Sequence, residues 1–347
     1  MSAQGVMILG GGGRVGMQIV SELLCRGFQV ILLDIQEQNL LEKKAGRLLN
    51  DARLATDNSV GKVSVYGGID ALDKNRIIEI LATEKPDLVI NYAIPITWDA
   101  TKRLPNYSQV SAAGLGAFTP IQVWTPLLVA QAIAEAGIDC KYMVGNLPDI
   151  TVPIITGIAQ AGDVQLPLAG AGNVGLNQVA FRSQIALERG VEFADVELSL
   201  VSHHVHWVAP REPGYSNEGP FLARVVIEGV DVTDSFEDLR AVMNRGVDKH
   251  YEAEAAFSST TGILASRVAL ALLDESGASH CMHTPAPNGL PGGYPVKIEN
   301  GAISVDLPDT WSLDSAIVAM QACHRLDGVQ DIEPNGTVHF TDIAQVV

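Results

Sequence analysis

The chain has 347 residues, enough for two domains, and its 47% hydrophobic and 18% charged content excludes an intrinsically disordered protein. Its formal net charge of −17 argues against binding to a nucleic-acid backbone or an anionic membrane surface. The sequence lacks a basic leader and an 18-residue apolar run, which predicts neither a secreted nor a membrane-spanning protein. Four scattered cysteines without C-x-x-C spacing predict reduced thiols and a cytoplasmic location.

The first predicted elements surround a run of four glycines in "VMILGGGGRVGMQIVSELLCRGFQVILLDIQ" (6–36). Residues 6–9 and 30–33 are short apolar runs typical of buried parallel strands, and the apolar residues between them recur at helical spacing. Gly11, Gly13 and Gly16 match G-x-G-x-x-G, and Asp34 ends the second strand. This strand, turn, helix and strand pattern predicts a dinucleotide-binding unit.

Each part of this unit has an expected physical task. Gly11 would form the tight turn, Gly13 would admit a pyrophosphate, and Gly16 would let the helix approach the strand. The start of the helix offers unpaired N–H groups to the phosphates. Asp34 would accept hydrogen bonds from the adenosine ribose and repel a 2′-phosphate, which favours NAD over NADP.

Strand and helix patterns continue to alternate to about residue 145 and then change. The predicted strands of the first part are 61–68, 86–93 and 141–146, and its predicted helices are 73–85 and 119–137. Beyond residue 150, we expect helices at 176–189 and 251–274 and β-rich stretches at 195–207, 222–230 and 295–306. The predicted fold class is α/β, with an NAD-binding Rossmann domain (1–145) built on a parallel doubly wound sheet. An α+β domain (146–347) for substrate binding, catalysis and oligomerisation follows.

Several segments in order resemble the lactate/malate dehydrogenase family. "AIPITWDATKRL" (93–104) resembles its mobile substrate loop, "GNLPDI" (145–150) its N-P-x-D segment and "AFRSQIALERGV" (180–191) its R-F-R helix. "VSHHVHW" (201–207) stands where the family has the histidine of G-E-H-G. "STTGILASRVALALL" (259–273) resembles the helix whose threonine faces the substrate, and "GGYPVKIENGAISVDLP" (292–308) a family hairpin.

The resemblance implies an NAD-dependent oxidoreductase and a set of site residues. His204 would exchange the hydroxyl proton, and Arg103 would polarise the substrate oxygen. Asn177 matches the aspartate that orients the family histidine, so the pKa of His204 should not be strongly raised. The expected cofactor residues are Gly11, Gly13, Arg14, Val15, Gly16, Asp34, Ala93 and Asn146. The expected substrate residues are Arg103, Asn146, Arg182 and Thr260.

One departure from the family pattern bears on the substrate. Ala180 stands where the family has the arginine that clamps the substrate carboxylate, and Arg182 is the surviving arginine of the pair. A bidentate arginine is the usual means of fixing a small carboxylate. We therefore expect a small hydroxy or oxo substrate other than plain lactate or malate. Arg211 and Tyr215 are candidates to replace the clamp.

The cluster His203, His204 and His206 leaves alternatives open. On a predicted strand, His204 and His206 would share one face and His203 the other. General acid/base work at His204, partly exposed surface histidines and metal binding are the three interpretations. "HHVHW" resembles the N-H-x-x-W motif of NAD- and metal-dependent glycosidases, but "GNVGLN" (172–177) lacks their cysteine. We therefore expect no metal.

Two further alternatives apply to the whole chain. The first half resembles an extended short-chain dehydrogenase. That mechanism needs Y-x-x-x-K spacing, which is lacking at Tyr92, Tyr107, Tyr142, Tyr215, Tyr251 and Tyr294. A non-catalytic NAD-binding regulator is also consistent with the missing clamp. The expected partner is a small-molecule substrate, without nucleic acid or membrane, and the expected assembly is a homodimer or homotetramer.

Overall fold

The structure of the protein is a computed structural model that describes residues 4–56, 60–162, 164–210, 216–249 and 254–345. The strands are β1 Gly5–Leu9, β2 Gln29–Asp34, β3 Lys62–Gly67, β4 Leu88–Asn91, β5 Lys141–Val144, β6 Ala169–Gly170, β7 Val196–Val201, β8 Leu222–Ile227, β9 Val230–Asp231, β10 Ser279–Pro285, β11 Gly293–Glu299, β12 Ala302–Val305, β13 Val329–Ile332 and β14 Val338–Phe340. The helices are α1 Arg14–Cys25, α2 Gln38–Ala55, α3 Lys74–Glu84, α4 Trp98–Thr101, α5 Tyr107–Ala112, α6 Thr119–Gln122, α7 Trp124–Ala136, α8 Pro148–Ala161, α9 Asn173–Arg189, α10 Val205–Val208, α11 Leu239–Lys249, α12 Glu254–Leu273, α13 Leu313–Leu326 and α14 Asp342–Gln345.

The first half of the chain forms a six-stranded parallel sheet in the order β3-β2-β1-β4-β5-β6. Strands β1 and β4 are fully buried because helices cover both faces of the sheet, which explains their continuous apolar sequences. The chain reverses its winding between β1 and β4. Ligands of such sheets bind at this switch point, outside the carboxyl ends of the strands.

The second half is α+β, with antiparallel sheets β10-β11-β12, β7-β8-β9 and β13-β14. A β-bridge between Ser202 and Gly293 joins the end of β7 to β11. Helix α12 packs along α1, so this half lies directly against the glycine turn of the first. The predicted fold class, a Rossmann unit followed by an α+β unit, is confirmed.

Three details differ from the sequence expectations. The parallel sheet ends with β6 at Ala169–Gly170, beyond the expected boundary at residue 145. The predicted helix 119–137 is divided into α6 and α7 at Val123. The predicted strand 195–207 stops at Val201, and its histidines lie on the following turn and on α10, so the expected alternation of their faces is wrong.

One helical run, Leu115–Ala136, has the length and mean hydropathy of a membrane span. Half of it is buried inside the protein, as expected of a core helix. All four cysteines are free thiols. The cytoplasmic location and the homo-oligomeric assembly stay predictions.

Candidate active site

The glycine turn brings the backbone of β1 against that of β4. Gly10 has φ +74°, and a Cβ there would lie 2.7 Å from the backbone N of Ala93. A Cβ on Gly16 would lie 2.4 Å from the carbonyl oxygen of Gly10, so α1 can start this close to the strand only with glycine. The tight turn therefore belongs to Gly10 rather than to Gly11, the position expected from the sequence.

Asp34 ends β2 beside this turn, and both of its carboxylate oxygens accept backbone hydrogen bonds. The N–H of Gly12 donates to Oδ2 at 2.8 Å, and the N–H of Gln36 donates to Oδ1 at 3.0 Å. Lys44, on α2, donates from Nζ to the carbonyl oxygen of Gly12 at 2.9 Å and also to the side chain of Gln36. A cation that sequence reasoning missed therefore lies beside the expected ribose site.

An open cleft of about 940 Å³ runs from the glycine turn across the carboxyl ends of the strands into the second half. At the first end it is lined by Gly10, Gly12, Gly13, Arg14, Val15, Gly16 and Asp34. At the other end it is lined by Ala93, Asn146, Leu147, Asp149, Val174, His204, Val208, Ser258 and Thr261. A dinucleotide with its phosphates on the glycine turn would have its other end beside His204. Of the expected cofactor residues, Gly11 does not line the cleft, and a Cβ there would lie 2.1 Å from Leu32 Cδ1.

The segment after β5 positions the middle of the cleft. Asn146 donates from Nδ2 to the carbonyl oxygen of Ala93 at 2.8 Å and accepts from Asn91 Nδ2 at 3.3 Å. Leu147, the next residue, has φ +37°, a left-handed conformation that costs a leucine of order 1–3 kcal/mol. This turn starts α8 immediately afterwards and places Asp149 in its first turn, where the helix dipole favours a carboxylate.

Asp149 is the partner of the expected catalytic histidine. His204 donates from Nδ1 to Asp149 Oδ2 at 2.7 Å, and the backbone N–H of His204 donates to the same oxygen at 3.0 Å. Both side chains are almost completely buried. The orienting carboxylate therefore comes from the N-P-x-D-like segment and not from the position of Asn177. Asn177 is buried elsewhere, with its Nδ2 3.5 Å from Met243 Sδ, so its expected role is wrong.

A second carboxylate approaches the other side of the imidazole. Asp327, at the end of α13, has Oδ2 2.8 Å from His204 Nε2. The two groups are in ion-pair contact, although the contact lacks ideal hydrogen-bond alignment. Asp327 Oδ1 accepts a hydrogen bond from the N–H of Leu115 at 2.8 Å. Asp327 therefore connects His204 to the end of the loop that precedes α6.

These contacts give His204 a charge different from that of its neighbours. Burial lowers the pKa of His204, but Asp149 and Asp327 more than offset it and raise the pKa to about 10. Burial lowers the pKa of His206 to about 4, and it also lowers the pKa of His203 and that of His324. His204 is therefore an imidazolium at neutral pH among neutral histidines. The expectation that its pKa is not strongly raised is wrong, because Asp149 and Asp327 take the place of the missing partner.

The same cluster has one feature of a metal centre. Ligand atoms of Asp149, His203 and His204 all lie within 4.8 Å of one another. The N–H of Val205 donates to His203 Nδ1 at 3.3 Å, so the neutral ring carries its proton on Nε2, 3.3 Å from Asp149 Oδ2. A protonated Nε2 has no lone pair to offer a metal ion. These hydrogen-bond directions favour a proton network over a metal centre.

Two expected substrate residues are displaced by one position. Arg103 is exposed and outside the lining of the cleft, whereas Lys102 lines it. Thr260 is exposed, whereas Thr261 is buried and lines the cleft. The local rotation of the loop and of helix α12 decides which residue faces the cleft, and spacing in the sequence does not reveal that rotation.

Among the described residues, neither position of the expected arginine pair lines the cleft. Arg182 is outside the cleft lining. Its Cζ lies 4.1 Å from the centroid of the Phe193 ring, and its guanidinium donates to the carbonyl oxygen of Ala194. Ala180 is buried in an apolar cluster with Trp207 and Val247. The expected clamp replacements, Arg211 and Tyr215, lie outside the described residues.

Sequence reasoning missed Asp149 and Asp327 as site residues. Asp149 had a signal, since the quoted segment "GNLPDI" contains it. Asp327 had none, because it follows an ordinary amphipathic helix near the end of the chain.

No protein-family model and no curated protein matches this sequence. Solved structures do. The minor L-lactate dehydrogenase of Enterococcus mundtii has 18% identity and a TM-score of 0.62, covering 94% of this chain and 97% of that one. The malate dehydrogenase of Picrophilus torridus has 16% identity and a TM-score of 0.62, covering 94% and 95%. The lactate dehydrogenase of Cryptosporidium parvum, solved with lactic acid and NAD, has 16% identity and a TM-score of 0.61, covering 94% and 96%. Over nearly its whole length, the chain has the fold of the lactate and malate dehydrogenases.

Proposed function

We propose that the protein is an NAD-dependent oxidoreductase that interconverts a small hydroxy compound and the corresponding oxo compound. The observation that carries this proposal is the continuous cleft, which joins the glycine turn and Asp34 to the pair formed by Asp149 and His204. The likeness to dehydrogenases of the same fold supports it, including one solved with NAD.

The residues at the first end fit a dinucleotide. The α1 helix begins at the glycine turn, so its first N–H groups and positive dipole end face the place of the pyrophosphate. Each oxygen of Asp34 accepts one backbone hydrogen bond and retains a lone pair for a ribose hydroxyl. When bound there, the nicotinamide supplies hydride transfer to or from the carbon that carries the substrate oxygen.

The residues at the other end fit proton transfer to that oxygen. His204 is held on Nδ1 by Asp149, and its Nε2 lies 2.8 Å from Asp327 Oδ2 without ideal hydrogen-bond alignment. In reduction, Nε2 gives its proton to the oxygen that becomes the hydroxyl group; in oxidation, Nε2 receives it back. Because the imidazolium is the dominant form at neutral pH, the resting site is ready for reduction.

The loop between β4 and α6 supplies the cover of the site. Trp98 and Tyr107 line the cleft and pack on the ring of Phe118. The ring centroid of Phe118 lies 5.6 Å from that of Trp98 and 5.8 Å from that of Tyr107. The loop ends at Leu115, whose backbone N–H donates a hydrogen bond to Asp327 Oδ1. Loop position and histidine position are therefore connected, as an enzyme that excludes water during transfer needs.

A nicotinamide absorbance assay over a panel of oxo and hydroxy compounds tests the proposal. We expect His204→Gln to lower kcat by roughly 10²–10⁴-fold, the range of general acid/base catalysis. Its affinity for NADH should stay within about twofold, because His204 is remote from the glycine turn. His339→Gln is the matched control, since His339 is exposed on β14. Full activity of His204→Gln would place the proton donor elsewhere.

The alternative of a non-catalytic NAD-binding regulator makes a different prediction. It is favoured by the apolar cluster at Ala180, where the family clamp is expected. A regulator would bind NADH yet show no turnover of any compound in the panel. Substrate-dependent oxidation of NADH that is lost in His204→Gln would contradict it.

A further inference from the structure

The start of helix α8 holds a carbonyl group that the helix itself cannot satisfy. The carbonyl oxygen of Asp149 would accept a hydrogen bond from the backbone N–H four residues later, but that residue is Pro153. Proline has no N–H, and its ring crowds the carbonyl of the residue four positions before it. A buried carbonyl without a donor is unfavourable, so this one needs a partner from another element.

His324, in the last turn of α13, provides that partner. Its Nε2 lies 2.9 Å from the carbonyl oxygen of Asp149, and a carbonyl only accepts, so Nε2 carries the proton. Both residues are buried. The backbone N–H of Gly292 lies farther from the same oxygen, at 3.4 Å. The histidine therefore supplies the short hydrogen bond that Pro153 removes from the helix.

The same end of α13 also reaches His204. Asp327 directly follows the helix, and its N–H donates to the carbonyl oxygen of His324 at 3.0 Å. Its Oδ2 lies 2.8 Å from His204 Nε2, while Asp149 Oδ2 accepts from His204 Nδ1 at 2.7 Å on the other side of the ring. The bond between His324 and the Asp149 backbone therefore joins the two elements that carry these carboxylates.

From this geometry we infer that His324 is a positioning residue of the proposed reaction. Its Nε2–H holds the first turn of α8 against the end of α13, and thereby sets the contact of both carboxylates with His204. Pro153 contributes by leaving the carbonyl of Asp149 open to the histidine. The inference rests on the proposed function in one respect, since it takes His204 as the proton donor.

The imidazole of His324 acts through its hydrogen bond and not through a charge. Burial lowers the pKa of His324, so the ring is neutral at pH 7 and above. Among the described residues, the other titratable and charged groups that act on this cluster are Asp149 from α8, His203, His204 and His206 around the start of α10, Cys323, Arg325 and Asp327 from the end of α13, and Arg240 from α11. All of them are retained when position 324 or 153 is substituted, so such a variant removes no charge from the site.

The pKa of His204, followed by NMR in protein labelled at the histidine rings, tests the inference without requiring turnover. Burial lowers this pKa, and Asp149 and Asp327 raise it to about 10. His324→Leu removes the donor, so the carboxylate contacts loosen and the pKa of His204 should fall by about one pH unit or more. His324→Gln should keep it within about 0.3 pH units, because the glutamine amide can still donate to the carbonyl. The His204 resonance is identified by its loss in His204→Gln.

The double variant Pro153→Ala/His324→Leu tests the role of the proline. Alanine restores an N–H that can bond the Asp149 carbonyl within α8, so the pKa of His204 should return at least halfway to that of the unsubstituted protein. Pro153→Ala alone should change it by less than about 0.3 pH units, since His324 already bonds the carbonyl. Gln321→Leu is the matched control, because Gln321 is exposed nearly one turn earlier on α13.

An unchanged pKa of His204 in His324→Leu would overturn the inference. An equal fall in His324→Leu and His324→Gln would also overturn it, because the imidazole would then act by packing alone. No recovery in the double variant would overturn the role of Pro153. If His324→Leu does not fold, His324→Asn takes its place, because its amide is polar but too short for the carbonyl. Absence of turnover with every compound of the panel would contradict the proposed function and leave the pKa result standing.

Discussion

His204 and Asp327 come from distant parts of the sequence, yet Nε2 of the histidine lies 2.8 Å from Oδ2 of the aspartate. Together with Asp149 on Nδ1, this contact places one imidazole between two buried carboxylates. The resulting cation is the chemical centre of the proposed site, and most of its testable consequences follow from that arrangement.

The rate of reduction should stay constant from pH 6 to about pH 9 and fall as the pH passes about 10. Burial lowers the pKa of His204, but Asp149 and Asp327 raise it to about 10, so the proton donor is lost only there. The neighbouring His203 and His324 stay neutral over this range because burial lowers their pKa. In Asp327→Asn the fall should move to lower pH. The check is kcat/KM against pH with NADH, and a fall near pH 6.5 in the unsubstituted protein would contradict it.

The choice between NAD and NADP should depend on Asp34 and Lys44. Asp34→Ala should weaken NAD binding, because the carboxylate that faces the ribose is lost. The difference between the affinities for NAD and NADP should therefore become smaller. Lys44→Ala should weaken any residual NADP binding, since its Nζ lies against Gly12 and Gln36 beside the same site. Lys43→Ala is the matched control on the exposed side of α2. Calorimetry with both nucleotides measures this, and NADP binding as tight as NAD in the unsubstituted protein would show that Asp34 is misassigned.

Adjacent residues on the substrate loop should behave differently. Lys102 lines the cleft and Arg103 is exposed, so Lys102→Ala should lower kcat/KM by roughly tenfold and Arg103→Ala by less than twofold. The sequence predicts the reverse order. Steady-state kinetics with one substrate of the panel decides between them. A larger effect of Arg103→Ala than of Lys102→Ala would mean that the loop rearranges and brings Arg103 into the cleft.

Acid should destabilise the protein through its neutral buried histidines. Burial lowers the pKa of His283 to about 4, and the carbonyl oxygen of Leu200 accepts its Nε2–H at 2.7 Å. The unfolded chain takes up this proton below about pH 6.5, so stability falls as the pH drops from 6.5 toward 4. Between pH 7 and pH 5, the titration of this one group should lower the free energy of unfolding by roughly 2 kcal/mol.

Urea unfolding of His283→Gln at both pH values measures that contribution. The variant should lose correspondingly less stability on acidification, because glutamine does not titrate. His339→Gln, at an exposed position, should behave like the unsubstituted protein. An unchanged pH dependence in His283→Gln would assign the acid sensitivity to other groups.

The sequence by itself determined the parallel sheet and the glycine turn, because these depend on local patterns. Continuous apolar runs identify strands buried on both faces, and G-x-G-x-x-G followed by an acid identifies the turn that joins them. Even there, the sequence placed the tight turn at Gly11, whereas the positive φ belongs to Gly10. It also pointed to His204 as the candidate proton donor, from a resemblance in order and spacing along the chain.

Only the tertiary structure decided which groups surround His204 and which side chains enter the cleft. Asp149 reaches the histidine because the left-handed Leu147 starts α8 beside the switch point, and Asp327 reaches it because α13 ends against the substrate loop. Whether Lys102 or Arg103 faces the cleft depends on the local rotation of the loop, and whether Thr261 or Thr260 does depends on the rotation of α12. The charge of a buried imidazole depends on these long-range contacts, since desolvation and neighbouring carboxylates act through space and leave no periodic signal in the chain.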